Sequence, residues 1–566
     1  MTKKHLITSA LPYINGIKHL GNLVGSMLPG DVYARYLRQH GEDVLYICGT
    51  DEHGTPAEIA AEAAGKSVQD YCAQMFEVQK DIYKRFGISF DYFGRSSSPS
   101  NHKLTQDLFL EMQKNGYIEE REIQQYYSHA DHRFLPDRYV EGTCPSCGYT
   151  KARGDQCDGC GRLLEPTDLK DPYSAISGSK DIELKSTKHI FLLLDKLNAP
   201  LEAWVAERPE WPDGVKGIAK KWLKEGLQPR CITRDLKWGV PVPLEGYDEK
   251  VFYVWFDAPN GYISITQDWA TAIGQPDAWQ DWWKNPDKVH YVQFMAKDNV
   301  PFHSIFWPAM LMATQQNWKQ VDYIKGVNWL NYDKGKFSTS QKRGIFTDAA
   351  LDLYPADYWR YYLMANCPES DDADFTFSHF AAIINKDLAD ILGNFANRSF
   401  SLIHKYFDGK IPTTLDNHLD QDLMAKLKHL VGEYESAHKE MRFRQAMGHL
   451  RAIWVVANEY ITVNEPWKTA KDNLEAAGVC LTHCVYLLRL FAILGHPVMP
   501  TLSQQILGLL NDTTDLSTTP FKSGLDFTGY ATGHGLAEPM RLIKKIDEAK
   551  VEELTAQYGG VMPVFL

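Results

Sequence analysis

The chain opens on an alternation of apolar and polar positions that changes period several times. HLITS (5–9) reads as a strand. LPYINGIKHLG (11–21) follows as a glycine-containing turn, then a helical pattern runs to about His40, and DVLYIC (43–48) reads as a second strand. This is the pattern of a βαβ unit. Residues 57–87 carry helical spacing. Beyond Gly116 the pattern turns irregular and rich in turn residues. Extended signals return at VFYVWFDA (251–258) and VHYVQFMAKD (289–298). Buried strand character on both sides of a long insertion predicts one α/β domain split by that insertion. From about Lys386 helical periodicity dominates through Gly495, as in DLADILGNFANRSFSLI and EMRFRQAMGHLRAIWVVANEYI, and a less regular tail follows.

The length of 566 residues suits about four domains at roughly 150 residues each. With 44% hydrophobic and 23% charged residues, a disordered chain and a disulfide miniprotein are excluded. No segment reads as long and apolar enough to cross a bilayer. The best, around Val485–Met499, is interrupted by Arg489 and His496. The start, MTKKHLITSALPYING, reads as a strand entering a loop rather than a signal peptide. A cytoplasmic protein without membrane contact is expected. The net charge of −12 argues against a general nucleic-acid coat. Residues 385–470, however, hold 11 Lys+Arg and 11 Asp+Glu, so that stretch is neutral.

Ten cysteines are present, and four of them, Cys144, Cys147, Cys157 and Cys160, form two Cys-x-x-Cys pairs. Two such turns supply a tetrahedral thiolate set with no open position, which predicts one structural Zn²⁺; two redox dithiols are the alternative. Cys480 and Cys484, one helical turn apart, read as buried apolar residues rather than ligands.

Two short segments carry candidate phosphate chemistry. His19-Leu20-Gly21-Asn22 stands between the first strand and its helix, where free N–H groups and the helix dipole favour an anion. Lys336-Phe337-Ser338-Thr339-Ser340, followed by Gln341-Lys342-Arg343-Gly344, brings three cations to one glycine-bracketed loop. Alone, the first is an ordinary capped helix start and the second a solvated basic loop. In this order they resemble the two signatures of the class I aminoacyl-tRNA synthetases, a His-x-Gly-His element and a Lys-Met-Ser-Lys-Ser loop. With TSALPYING, GTDEHGTP, YVWFDAPNGYI, AKDNVPFHSIFWPAML and VNEPW, the resemblance narrows to the methionine-specific family and covers about residues 5–550. The insertion is too short for the editing domain of the valine, isoleucine and leucine relatives. Its closed thiolate set differs from the active-site zinc of the cysteine relatives.

The resemblance implies an α/β fold. A Rossmann-type parallel-sheet catalytic domain (1–115 and 230–322) is split by a zinc-bearing insertion (116–229). A connector with the KFSTS loop (323–385), an α-helical anticodon-binding bundle (386–545) and a tail (546–566) follow. It implies an ATP-dependent methionine–tRNA ligase that charges elongator and initiator tRNA(Met), with Mg²⁺ accompanying ATP. Residue by residue, it carries a nucleotide site onto His19, Gly21, Asn22, Lys297, Asp298, Lys336, Ser338, Thr339 and Ser340. The methionine site falls on Ala10, Leu11, Tyr13, Asp51, Arg234, Trp255, Ala258, Pro259, Tyr262 and His303. Recognition of a CAU anticodon falls on Asn394, Arg398, Pro466 and Trp467. Without the resemblance, the aromatics read as core, Arg234 as half of a surface ion pair and Trp467 as helix packing.

Two positions depart from the family pattern. Asn22 replaces the second signature histidine, one hydrogen-bonding side chain for another. Thr339 replaces the second lysine of the loop, which leaves His19, Lys336, Lys342 and Arg343 as the candidate catalytic groups. Thr339 also sustains the competing reading, a synthetase-like RNA-binding paralogue without activation chemistry. The chain's end at Leu566 leaves no room for the family's C-terminal tRNA-binding barrel, so a monomer is expected.

Overall fold

The computed structural model describes residues 4–154, 157, 159–160, 162, 164–337, 343–415 and 418–559. Its principal strands in chain order are β1 (Lys4–Ser9), β2 (Asp43–Thr50), β3 (Tyr92–Arg95), β4 (Ile118–Ser128), β5 (Ile182–Leu192), β6 (Val289–Ala296) and β7 (Tyr323–Val327). Five of them form one parallel sheet in the order β7-β6-β1-β2-β3. Neighbouring residues of each strand bury on opposite faces. Ile7, Val292 and Phe294 enter one core, while Leu6, Tyr291 and Met295 enter the other. Both faces are therefore covered, as a parallel sheet requires. The strand order reverses at the β1/β6 boundary. The crevice beyond the carboxyl ends of those strands is where ligands of such sheets bind.

Several elements differ from their sequence-based expectation. In VFYVWFDA only Val251–Phe252 is strand; Val254–Asp257 turns into helix, which places Phe252 and Phe256 in ring contact. A short unbroken apolar run fits either state. The 57–87 helix is two, Thr55–Ala63 and Val68–Arg85, separated at Gly65, whose φ of +65° a side chain resists. The insertion is more regular than expected: β4 and β5 pair antiparallel over Ile118–Leu192 through Ser128–Ile182. Both are largely solvated, so hydrophobic alternation does not reveal them. The boundary drawn at Lys386 falls inside continuous helix, Phe377–Ile383 leading through Ile384–Gly393 into Asn394–Phe407. The tail contains a further helix, Glu548–Tyr558.

One expectation is corrected outright. Helix Leu474–Gly495 is long and apolar enough to cross a membrane by length and composition, at a mean hydropathy of 1.8. It is 89% buried over its most apolar window, and it forms the centre of the bundle. Cys480 and Cys484 are buried on it. The bundle does not form a separate core. Trp454, Phe491 and Leu488 belong to the same apolar cluster as Ile7 and Phe294 of the sheet.

Within that shared core lies an ion pair with no exposure on either side, Asp31 with Arg360 of helix Ala356–Ala365. The Arg360 guanidinium donates to Asp31 Oδ2 at 2.6 Å, to the carbonyls of Phe86, Pro497 and Val498, and so joins sheet domain, connector and bundle. Asp31 also accepts from Arg35 and from Ser89. Burial alone would raise the Asp31 carboxyl, but Arg35, Arg360 and Ser89 outweigh it and hold the group well below the usual carboxylate range. Arg360→Met is expected to cost about 3–5 kcal/mol, because it takes from the buried Asp31 one of its two arginine partners. The shift of the urea midpoint reads this. Asp31 stabilises the fold above its unfolded pKa of about 3.9 and ceases to do so as pH falls below it, so Asp31→Asn should flatten the acid limb of the stability profile.

Candidate functional site

β1 ends at Ser9, and the chain then lines the sheet's carboxyl edge. Ala10 N–H donates to Phe294 O at 2.9 Å, tying it to β6. Leu11 leans against Gly261, where an added Cβ would come within 3.1 Å of its Cδ1. Tyr13 bridges to Asp51 at the end of β2. Trp255 Nε1–H donates to the Tyr13 hydroxyl at 3.0 Å, and the Trp255 ring stands 4.3 Å from Phe302. Ala258 and Pro259 follow, both buried. Tyr262 comes next, in hydrogen-bond contact with His303 at 2.8 Å. Ala10, Leu11, Tyr13, Asp51, Trp255, Ala258, Pro259, Tyr262 and His303 thus come from four chain segments onto one edge of the sheet.

His303 is held neutral. Burial pushes its imidazole down to about 4, against a smaller upward pull from Asn299. Nδ1 lies 2.9 Å from Asn299 O and must carry the proton, so Nε2 accepts from Tyr262 O–H. The tyrosine's own proton is thereby committed to His303. Asp51 is the opposite case. It is 6% exposed, and its Oδ1 has no partner. Burial, then Asp257 and Glu52, raise its pKa well above the ordinary value. A buried carboxylate in that state favours any cation that reaches it.

Arg234 lies elsewhere. It pairs with Asp137 of the insertion at 2.9 Å and covers the Tyr253 ring at 3.8 Å, one ring removed from Trp255. Its work in this structure is to join insertion and sheet domain.

His19 caps the helix that begins at Leu20, and Asn22 Oδ1 accepts from its backbone N–H at 3.2 Å. The glycine at 21 is required, because a Cβ would sit 2.9 Å from the His19 ring. Burial, then Lys18, push His19 down to about 4, and its Nδ1 is buried without a partner. Phe337 lies flat on it, ring centroids 4.5 Å apart. The base of the KFSTS loop therefore covers the first signature directly. Lys336 and Lys297 both stand over the ring of Trp329, whose indole N–H donates to Asp298 at 3.1 Å. Ser338, Thr339, Ser340 and Lys342 lie outside the described residues.

Arg343 does not serve as a loop cation in this arrangement. It is 2% exposed, and its guanidinium donates to the carbonyls of Tyr332, Asp333 and Gly559. It braces the loop from beneath, with Tyr558 O accepting from Gly344 N–H. Sequence reasoning missed Phe337, Trp329 and Asp372, which organise this corner. Only Phe337 had a local signal, since it sits inside the loop motif.

The four clustered cysteines converge. All four sulfurs lie within 4.8 Å of one another, with Cys144–Cys160 at 3.9 Å and Cys147–Cys157 at 3.6 Å. A tetrahedron with metal–sulfur bonds of about 2.3 Å has edges of about 3.8 Å, so the spacing fits a metal such as zinc.

In the bundle, Asn394 and Arg398 share one helix face, and Arg398 covers the Trp467 ring at 4.8 Å. Pro466 starts the helix Pro466–Asp472 after Glu465 in a left-handed conformation. The preceding helix, Phe443–Asn464, runs back toward the sheet. There Glu369 accepts from the N–H groups of Phe443 and Arg444 and pairs with Lys325 of β7 at 2.9 Å.

Tyr262→Phe should leave His303 Nε2 buried without a donor, at a cost of about 1–3 kcal/mol. A lowered thermal midpoint at neutral pH checks it.

The family model described as "tRNA synthetases class I (M)" matches residues 5–400, and that for the "anticodon binding domain of methionyl tRNA ligase" matches residues 412–563. "Methionine--tRNA ligase 1" of Acaryochloris marina is 52% identical over 558 residues, spanning 98% of this chain and all of that protein. The methionine–tRNA ligase of Streptomyces avermitilis is 51% identical over 571 residues, spanning 98% and 99%. The crystal structure of Mycobacterium tuberculosis methionyl-tRNA synthetase with methionyl-adenylate superimposes with a TM-score of 0.76 at 25% identity, covering 96% of this chain and all of that one. With a split parallel sheet, a four-cysteine insertion and a helical anticodon domain in this order, the chain belongs to the methionyl-tRNA synthetase family of class I.

Proposed function

We propose that the pocket from Leu11 to His303 takes L-methionine, and that the crevice between His19 and Lys336 takes ATP, which brings Mg²⁺ with it. The family's activity is methionine–tRNA ligation, in which methionine is activated by ATP and transferred to tRNA. The observation that carries the site assignment is Asp51, a buried carboxylate with an unpartnered oxygen beside an aromatic wall. The substrate ammonium supplies the hydrogen-bond partner that this oxygen lacks. Tyr13 and Trp255 pack the thioether, which is polarizable and favours aromatic rings. The Tyr262–His303 pair bounds the pocket with an oxygen that has no proton to give. A thioether needs none.

With the ammonium held, the methionine carboxylate attacks the α-phosphorus of ATP. The bond to the bridging oxygen breaks, and pyrophosphate leaves. The chain contributes position and charge rather than a covalent nucleophile. His19, Lys297 and Lys336 are the described groups that face the phosphates in this reading, while Arg343 holds the loop base. A terminal ribose hydroxyl of tRNA then attacks the methionyl carbonyl of the adenylate; the acyl–phosphate bond breaks, AMP leaves and the hydroxyl proton is released.

The four cysteines hold one zinc ion in this reading; when bound it supplies structural cross-linking of the insertion and no catalytic position. Asn394, Arg398, Pro466 and Trp467 receive a CAU anticodon, with a base on the indole and edges read by the two polar side chains. A monomer acting in the cytoplasm, on elongator and initiator tRNA alike, completes the proposal.

Methionine-dependent ATP–pyrophosphate exchange tests the activity, and its absence in folded protein would favour an RNA-binding paralogue. Asp51→Asn should raise the KM for methionine by about 2–5 kcal/mol of lost ammonium binding, with the KM for ATP nearly unchanged. Trp467→Ala should leave exchange intact and weaken tRNA charging by about 1–3 kcal/mol per lost stacked base. Metal analysis should return one zinc per chain, and Cys147→Ser should lower that number and the stability of the insertion.

A further inference from the structure

Trp329 is a large indole left 38% exposed at the edge of the nucleotide crevice, and the site assignment above gives it no task. Two hydrogen bonds fix it. Its backbone N–H donates to Asp372 Oδ1 at 2.9 Å, and its indole N–H donates to Asp298 Oδ1 at 3.1 Å. The same Asp372 oxygen accepts from Lys297 Nζ at 2.6 Å. Lys297 Nζ then stands 4.4 Å from the indole centroid, and Lys336 Nζ stands 5.3 Å from it. The two ammonium groups are thus no more than about 10 Å apart, each within reach of the ring's negative face.

Two lysines from distant parts of the chain repel one another and, left alone, spread into solvent. Holding both against one ring keeps them within that distance of one another before any anion arrives. The cost of ordering two long side chains is then met in the fold rather than on binding. Arg343 is bound to carbonyls, so Lys297 and Lys336 are the cations described at this corner.

We propose that Trp329 is a positioning residue that gathers Lys297 and Lys336 into one cationic pair directed at the β- and γ-phosphates of ATP, the part that departs as pyrophosphate. This rests on the assignment of the two lysines to the nucleotide. Asp372 and Asp298 fix the indole so that the ring, and not its N–H, does the gathering.

ATP–pyrophosphate exchange with the full-length chain tests it, reading separate KM values for methionine, ATP and pyrophosphate. Trp329→Ala should raise the KM for ATP and for pyrophosphate at least fivefold, leave that for methionine within twofold, and leave the thermal midpoint near that of the parent. Trp329→Phe keeps a ring face without the N–H and should recover most of the loss. The double variant Trp329→Ala, Lys336→Ala should lose little beyond the larger single loss. If Trp329→Ala raises the KM for ATP but not for pyrophosphate, the indole is an adenine platform and the proposal fails. Equal damage from the Phe and Ala variants also overturns it, because the N–H would then be what matters. If Lys297→Ala and Lys336→Ala leave pyrophosphate handling intact, the lysine assignment itself is wrong and the proposal falls with it. If they impair it while Trp329→Ala does not, only the proposal falls.

Discussion

A guanidinium cut off from water must have its N–H groups met by the protein, or the site it occupies does not form. Arg360 meets this demand only when three parts of the chain are in place at once: Asp31 and Phe86 from the sheet domain, its own connector helix, and Pro497 and Val498 from the bundle. The packing that surrounds it is non-directional, but the hydrogen bonds are not. They fix the angle at which the bundle meets the sheet, and with it the placement of the tRNA-reading surface relative to the chemistry. The shared apolar core supplies the driving force, and the buried charge selects one arrangement from those the core would tolerate.

The active corner repeats that logic on a smaller scale. Some of its polar groups are engaged with one another and others are left available. Tyr262 and His303 satisfy one another, Arg343 is spent on carbonyls, and Phe337 lies on His19. Asp51 Oδ1 and His19 Nδ1 are left without partners. Buried polar atoms without partners are costly in a folded core, and here they coincide with the places where the substrate ammonium and a phosphate are proposed to sit.

Much of this was legible in the sequence, and for local reasons. The βαβ start, the strand at 289–296 and the cysteine pairs depend on spacing within a few residues, and spacing survives in one dimension. The thiolates converge because each Cys-x-x-Cys turn already orients its own pair. What was not legible depends on partners far away in the chain. Arg343 reads as a free loop cation until the carbonyl of Gly559 and the backbone of Tyr332 and Asp333 are brought to it. Arg234 reads as an active-site arginine until Asp137 takes it. The antiparallel β4–β5 pair has no apolar alternation because water covers much of both faces. The apolar run at 251–258 fits strand and helix equally, and the ring contact between Phe252 and Phe256 belongs to the tertiary fold.

Helix Phe443–Asn464 sets a gauge between two sites that never touch. Twenty-two residues at about 1.5 Å each span about 33 Å, from the carboxylate of Glu369 at the sheet to the turn that presents Trp467. Both ends are clamped, so the count of residues between them determines two things together, a distance and an angle. Adding or removing a single residue would swing the indole by about 100° around the helix axis as well as moving it along that axis. A substitution on the outer face of this helix leaves both ends where they are, whereas a change of length does not. Under the proposed anticodon assignment, that integer sets how far from the sheet, and at what angle, a base meets Trp467.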